Sequence, residues 1–246
     1  MPTEMLQFQL ESTKMLSPKA KHFVLTHTSE TIFDYLPGQF ITVHFEHQGK
    51  MIRRSYSIAN APKKDNRLEF AATYVEAGPG SEYLFNLKVG DHIQITGPFG
   101  RLTLKEECPK RYILVATSTG VTPYRSMIPD LQQRLESNPE LSIVILEGVQ
   151  THQDLLYEQD FLNWAQQNPR VLFRAFLSRE NKSAESSHLC HGYVQHGFAN
   201  LNLNAQQDHV FLCGNPAMID EAFQMLKEQG FSTQQIVREK YISSTK

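Results

Sequence analysis

Up to about residue 105, apolar and polar positions alternate over short segments: "HFVLTHT", "QFITVHFEH", "SYSIA", "LEFAATYV" and "HIQITG". A period of two places successive side chains on opposite faces of a strand, so each segment predicts a half-buried β-strand. Turn residues separate them, in "PGQ" (37–39), "APKKDN" (61–66) and "KVGD" (88–91). Only "SEYLFNL" predicts a short helix here. Short strands with frequent turns predict an antiparallel β-barrel or sandwich.

After Pro109 the rhythm changes. Continuous apolar runs ("YILVAT", "LSIVILEGV", "RVLFRAFLS", "HVFLCG") alternate with amphipathic stretches ("YRSMIPDLQQRLES", "DLLYEQDFLNWAQQ", "AMIDEAFQMLKEQG"). This alternation predicts a parallel sheet covered by helices, and such sheets bind ligands beyond the carboxyl ends of their strands. No internal repeat or low-complexity tract interrupts either half.

Composition narrows the function. A length of 246 residues, 40% of them hydrophobic, accommodates two compact domains, and a net charge of −2 gives no global attraction to nucleic acid. Cys108, Cys190 and Cys213 lack the paired spacings of zinc, dithiol or iron–sulfur sites and predict reduced thiols in a cytoplasmic protein. The start "MPTEMLQFQL" has no leader pattern, and runs such as "IVIL" are too short to span a bilayer, so no membrane insertion is expected.

The candidate chemistry follows the strands. "TSTGVTP" (117–123) is a small-residue turn before a helix, where free backbone N–H groups attract phosphate and Gly120 permits close approach. The same segment reads equally as an ordinary strand-to-helix connection. "CGNP" (213–216) places Cys213 beside Gly214, suited to a flat ring at a strand end; the plainer reading is a buried thiol and a turn glycine. Ser178 and Arg179 offer hydroxyl and guanidinium donors to a phosphate. In the first half, "AGPGSEYL" sets Gly78, Gly80 and Ser81 ahead of the short helix as a second anion site, while "RRSYSIAN" supplies Arg54 for charge, Tyr56 for stacking and Ser57 for a hydrogen bond.

Taken in order, "RSYS", "GPGSEYL", "ATSTGVTPYRSM", "GVQTHQDLLY", "SRE" and "HVFLCGNPAMID" resemble the ferredoxin–NADP reductase family over nearly the whole chain, with a bacterial ferredoxin or flavodoxin reductase flavour and "ITGPFGRL" closer to oxygenase reductase components. The resemblance implies an FAD-binding β-barrel domain (1–106) followed by an NAD(P)-binding α/β domain (107–246). Arg54 would pair with the FAD diphosphate, Ser55 belongs to the same strand motif, Tyr56 would stack on the isoalloxazine, and Ser57 would hydrogen-bond near flavin N5. Thr73 and Tyr74 would border the flavin, and Gly80 and Ser81 would meet the diphosphate. Thr119, with Gly120, would sit at the flavin–nicotinamide junction. Cys213 and Gly214 would flank the nicotinamide, with Asn215, Pro216 and Met218 shaping that end of the site.

Ser57, Cys213 and Tyr241 are the residues expected nearest the reacting atoms. Hydride transfer from NADPH to FAD would then be followed by single-electron delivery to a separate ferredoxin or flavodoxin, since the chain has no iron–sulfur ligand set. Departures from the family pattern are Ser118 for the first glycine of the nucleotide turn, Gln150 and Tyr193 where relatives carry arginine, and five residues after Tyr241. Ser178 and Arg179, with Lys182, favour NADPH over NADH. Alternatives are an NADH-dependent oxygenase reductase or flavin reductase, a non-catalytic redox-sensing module, and a plain β-barrel interaction protein. Arg53, Lys63, Lys64, Arg67 and Arg101 form a candidate basic rim for an acidic partner.

Overall fold

The computed structural model describes residues 4–29, 31–63, 65–180 and 187–242. Two compact units emerge: residues up to Leu104 together with Thr122–Ile128, and Lys105–Val121 together with the chain from Pro129.

The first unit is a six-stranded antiparallel sheet of β1 (Leu6–Met15), β2 (Ala20–His27), β3 (Phe40–His47), β4 (Lys50–Ser57), β5 (Arg67–Thr73) and β6 (His92–Phe99), with helix α1 (Pro79–Asn86) between β5 and β6. The strand order is β4-β3-β6-β1-β2-β5. Inward-facing Phe8, Leu10, Phe23, Leu25, Ile41, Val43, Phe70, Ile93 and Ile95 make its core, and Phe23 stacks on Phe70 with ring centroids 4.8 Å apart. β1 has no counterpart among the predicted segments; it pairs with both β2 and β6.

The expected barrel is not closed by a ladder. Among the described residues β4 and β5 form no ladder; just past the end of β4 an isolated Ile58–Phe70 bridge links the chain to β5, beside the bond from Ala59 N to Glu69 O at 2.7 Å. Asn60 explains the stop: its amide Nδ2 donates to Arg67 O (3.0 Å) and its Oδ1 accepts from Glu69 N (2.8 Å), so a side chain takes the β5 backbone groups another strand residue would use.

Helix α2 (Thr122–Ser137) enters this unit with its first turns. Arg125 donates to Glu69 Oε2 (2.8 Å) and Ala59 O (3.0 Å), and His22 Nε2 lies 3.4 Å from the same Glu69 oxygen. These partners, His22 first, overcome burial and lower the Glu69 carboxyl to about 2. At Pro129 the helix loses the N–H that would bond the Arg125 carbonyl, and there the chain passes to the second unit.

The second unit is wholly parallel: β7 (Arg111–Thr117), β8 (Ser142–Val149), β9 (Val171–Leu177), β10 (Leu189–His191), β11 (Asp208–Gly214) and β12 (Ile236–Lys240), ordered β10-β9-β8-β7-β11-β12. Helices α3 (Glu158–Gln167) and α4 (Pro216–Glu228) complete it with the rest of α2. The central strands read as apolar runs because they are buried on both faces. Strand order reverses at β7: β8, β9 and β10 lie on one side, β11 and β12 on the other. β10 and β12 were not among the segments whose pattern predicts strands.

Glu147 interrupts the apolar run of β8. It is fully buried; Oε1 accepts from Leu156 N at 2.9 Å, and Oε2 has no hydrogen-bond partner among the described residues. Burial holds this carboxyl well above the usual carboxylate range. Unfolded chains release this proton in the ordinary range while the folded chain retains it, so Glu147 costs stability as pH rises above that range. We expect Glu147→Gln to gain stability relative to the parent, and with it melting temperature, as pH rises above the ordinary carboxylate range, by at most about 1.4 kcal/mol per pH unit. A difference constant above that range, in parallel thermal melts, would refute the assignment.

Candidate functional site

Two groups of predicted residues converge, one in each unit. In the first, strand alternation turns Arg54 and Tyr56 to one face of β4 and the exposed Arg53 and Ser55 to the other, where Ser55 Oγ meets Thr42 Oγ1 at 3.2 Å. The turn ahead of α1 closes on the first pair: Gly78 precedes the helix, Pro79 opens it, and a Cβ at Gly80 would stand 3.0 Å from Arg54 Cγ and 3.1 Å from Tyr56 Oη. Glycine is what admits the helix start so close to both side chains. Ser81 is buried and its Oγ accepts from Val75 N at 2.7 Å, so this hydroxyl pins the turn.

Tyr56 leans on Phe70 with centroids 5.1 Å apart, and burial raises its phenol to about 12, so the ring stays uncharged beside the Arg54 guanidinium. Arg54 Nη1 donates to Arg53 O at 2.8 Å. Ser57 is buried at the end of β4. At the end of β5, Thr73 Oγ1 is buried with no hydrogen-bond partner among the described residues, and the exposed Tyr74 meets Phe85 edge-on at 5.3 Å. An orphaned hydroxyl and a glycine-lined approach to an arginine suit a ligand with an anionic group and hydrogen-bonding atoms. A shallow cavity of about 360 Å³ on the same unit, lined by Phe45, Glu46, Glu82 and Tyr83 among others, contains none of these residues, and its carboxylates oppose an anion.

In the second unit the site lies where the strand order reverses, at the carboxyl ends of β7 and β11. A 3-10 turn, Ser118–Val121, follows β7 directly. A Cβ at Gly120 would fall 2.4 Å from the Cys213 carbonyl oxygen, and one at Gly214, whose φ is +120°, 2.4 Å from Thr117 Oγ1. That Thr117 hydroxyl, which no motif singled out, accepts from Asn215 N at 2.8 Å; its signal was a hydroxyl on the last residue of a strand entering a small-residue turn.

Asn215 Oδ1 caps α4 by accepting from Ala217 N and Met218 N, Pro216 opens the helix, and Met218 is buried beneath it. Tyr241 N donates to Gly214 O at 2.8 Å. The Cys213 thiol is fully buried; burial, with the Glu239 charge beside it, pushes it well up, and a hydrogen bond with the Tyr241 side chain opposes the rise. It is therefore a neutral thiol, not a nucleophile.

Thr119, half-buried, lies in the 3-10 turn beside Gly120. Ser178 and Arg179 stand apart from this group, after β9 and with β8 between. Ser178 Oγ donates to Val149 O at 3.2 Å, Arg179 N donates to Gln150 O at 2.9 Å, and the Arg179 side chain is exposed. Lys64, Lys182 and residues 243–246 lie outside the described residues. Of the basic rim, Arg67 is committed to Glu11, whereas Arg53, Lys63 and Arg101 are exposed.

The two glycines make a direct comparison. At Gly120 the obstructing atoms are backbone, so Gly120→Ala should cost about 1–3 kcal/mol in thermal or denaturant unfolding. At Gly80 they are side-chain atoms of Arg54 and Tyr56 able to yield, so Gly80→Ala should cost less. Equal losses would contradict the backbone contact as the constraint.

Residues 7–104 match the oxidoreductase FAD-binding domain family and residues 114–224 the oxidoreductase NAD-binding domain family. The chain is 32% identical over 222 residues to ferredoxin–NADP reductase B of Sorangium cellulosum (strain So ce56), covering 88% of each chain. It is 28% identical over 240 residues to the toluate 1,2-dioxygenase electron transfer component of Pseudomonas putida, covering 97% of this chain and 68% of that one. A ferredoxin NADP+ reductase from Neisseria gonorrhoeae, solved with bound FAD and NADP, shares the fold with a TM-score of 0.82 at 21% identity, over 96% of this chain and 98% of that chain. Among the described residues no helix is long and apolar enough to cross a membrane. With two consecutive oxidoreductase domains and a relative this similar over most of its length, the chain belongs to the ferredoxin–NADP reductase family.

Proposed function

We propose that this oxidoreductase exchanges a hydride between NADPH and bound FAD and passes electrons singly to a separate ferredoxin or flavodoxin, with FAD held by residues 1–106 and the nucleotide by 107–246. The observation that carries the reading is the convergence of Gly80 on Arg54 and Tyr56, with the Thr73 hydroxyl of the same unit unpartnered among the described residues. FAD, when bound, supplies the redox centre that accepts two electrons together and returns them one at a time.

The protein's own residues bind and orient. Arg54 would neutralise charge on the diphosphate, and the backbone N–H groups at Gly80 and Ser81 would donate to it. Tyr56, kept uncharged by burial, would offer its ring for stacking, with Tyr74 bordering the flavin, whereas Ser55, on the opposite face of β4, would support the strand through Thr42. Thr73 Oγ1 would gain the hydrogen bond it lacks, and Ser57 would hydrogen-bond to the flavin ring. On the nucleotide side, Gly120, Cys213 and Gly214 form a wall in which backbone lies against backbone, with Thr119 in the same turn, against which a flat ring would stack. Asn215, Pro216 and Met218 fix the start of α4, and Tyr241 covers the strand end. No protein nucleophile is required; within each unit these residues would bind and orient the group that supplies the hydride chemistry.

Ser178 and Arg179 are assigned to the nucleotide 2′-phosphate, supported by the ferredoxin–NADP reductase similarity. The second reading, an NADH-dependent oxygenase reductase, is favoured by the Pseudomonas putida similarity and by the Ser178 hydroxyl already donating to Val149 O. Exposed Arg53, Lys63 and Arg101 are the cations left for an acidic carrier protein.

Anaerobic stopped-flow reduction, following flavin absorbance with NADPH and NADH in parallel, tests the proposal. NADPH should bleach the flavin faster, and Arg179→Ala should raise the NADPH KM by about 10- to 100-fold while leaving that for NADH unchanged. Preference for NADH selects the second reading, and a flavin bleached by neither nucleotide selects a non-catalytic module. Arg54→Ala should release FAD on gel filtration; a variant that keeps its full complement of flavin would remove Arg54 from the diphosphate.

A further inference from the structure

Away from both groups, three side chains with metal-ligating atoms meet on the second unit. His152 comes from the 3-10 turn His152–Asp154, Glu158 is the first residue of α3, and His188 leads into β10. Their ligand atoms all lie within 4.8 Å of one another: Glu158 Oε1 stands 3.0 Å from His152 Nε2 and 2.8 Å from His188 Nε2. With bonds of 2.0–2.1 Å, two tetrahedral ligands of one zinc ion lie roughly 3.3 Å apart, so small side-chain rotations bring these separations to coordination geometry.

Each donor is held by structure outside the cluster. Thr151 and Asp154 form a reciprocal capping box around the His152 turn, and the His152 amide donates to Glu180 Oε2 at 2.7 Å. Tyr157, immediately before Glu158, adopts φ +57°, a costly conformation for a bulky residue that sets the start of α3. His188 stacks on Phe173 with centroids 6.1 Å apart. Two imidazoles and one carboxylate are a donor set for zinc and similar transition metals, whereas magnesium and calcium prefer all-oxygen surroundings. His152, with its side chain 47% exposed, leaves the fourth position open to water.

We infer that His152, Glu158 and His188 bind one Zn2+ ion, which braces the entry to α3 against the entry to β10. The site shares no residue with the proposed FAD and nucleotide contacts, so it stands or falls independently of them.

The test is calorimetric titration of the purified protein, stripped with EDTA and dialysed, with ZnCl2 and in parallel with MgCl2. One equivalent of Zn2+ should bind and Mg2+ should give no saturable heat. Glu158→Gln and His152→Ala, the latter at a half-exposed position tolerant of truncation, should each weaken Zn2+ binding by more than the about 10- to 100-fold that losing a supporting hydrogen bond costs. Zn2+ should raise the melting temperature of the parent and not of these variants, whose metal-free melts report that they fold. Absence of stoichiometric Zn2+ binding, or binding undiminished in both folded variants, overturns the site and leaves a His–Glu–His hydrogen-bond cluster.

Discussion

The nucleotide unit depends on a contact made without side chains. At the carboxyl ends of β7 and β11, Gly120 lies against the Cys213 carbonyl and Gly214 against Thr117, at distances no Cβ could occupy. The Thr117 hydroxyl then takes the Asn215 amide, and Asn215 caps α4. One close approach thereby fixes the turn after β7, the end of β11 and the start of a helix. It sits where the strand order reverses, the position at which a parallel sheet leaves its strand ends open to a ligand. Tyr241 is attached to the same point through Gly214 O, so the last described turn of the chain is positioned by the same backbone.

Buried charge is handled in opposite ways in the two units. Glu69 has cationic and hydrogen-bonding partners in Arg125 and His22 and stays ionised, at about 2. Because its folded value lies below the ordinary carboxylate value, its stabilisation is present above that range and is lost as pH falls toward about 2. This interaction carries the first turns of α2 into the sheet unit, so its loss in acid loosens that helix from β5 first. Glu147 has one amide and no cation, and burial keeps its proton on. The same residue type is anchored by charge in one place and tolerated as a neutral acid in the other.

Much of this architecture was legible because period-two and apolar-run patterns report burial directly. "HFVLTHT" and "LEFAATYV" became adjacent antiparallel strands β2 and β5, and "YILVAT" and "HVFLCG" became the neighbouring β7 and β11. β1 was not among those segments although Leu6, Phe8 and Leu10 alternate and two of them enter the core; the alternation lasts only to Leu10, and the strand continues through polar Glu11, Ser12, Thr13 and Lys14 past a register shift, held there by its pairing with β2. The open ends of the first sheet were equally hidden, since they follow from the Asn60 side chain capturing β5 backbone groups, a long-range event without local periodicity. Glu147 and Glu158 lay within segments whose apolar residues dominated their reading, His188 lay in none of the segments read, and three residues from separate elements have no sequence spacing to recognise.

Ser118 shows what a short motif specifies. Where relatives carry the first glycine of the nucleotide turn, this chain has serine, yet the backbone there is left-handed, with φ +49°. For an L-residue that conformation costs about 1–2 kcal/mol. The neighbours leave little alternative: Thr117 is held by the Asn215 amide and Gly120 by the wall of β11, so the two residues between them must turn within the space they define. Gly120 cannot vary in the same way, because its constraint is steric contact with another backbone rather than a dihedral preference. A glycine required only for its torsion can be replaced where the turn tolerates the strain, whereas one required for absent volume can be replaced only if the facing backbone shifts, and this turn contains one position of each kind.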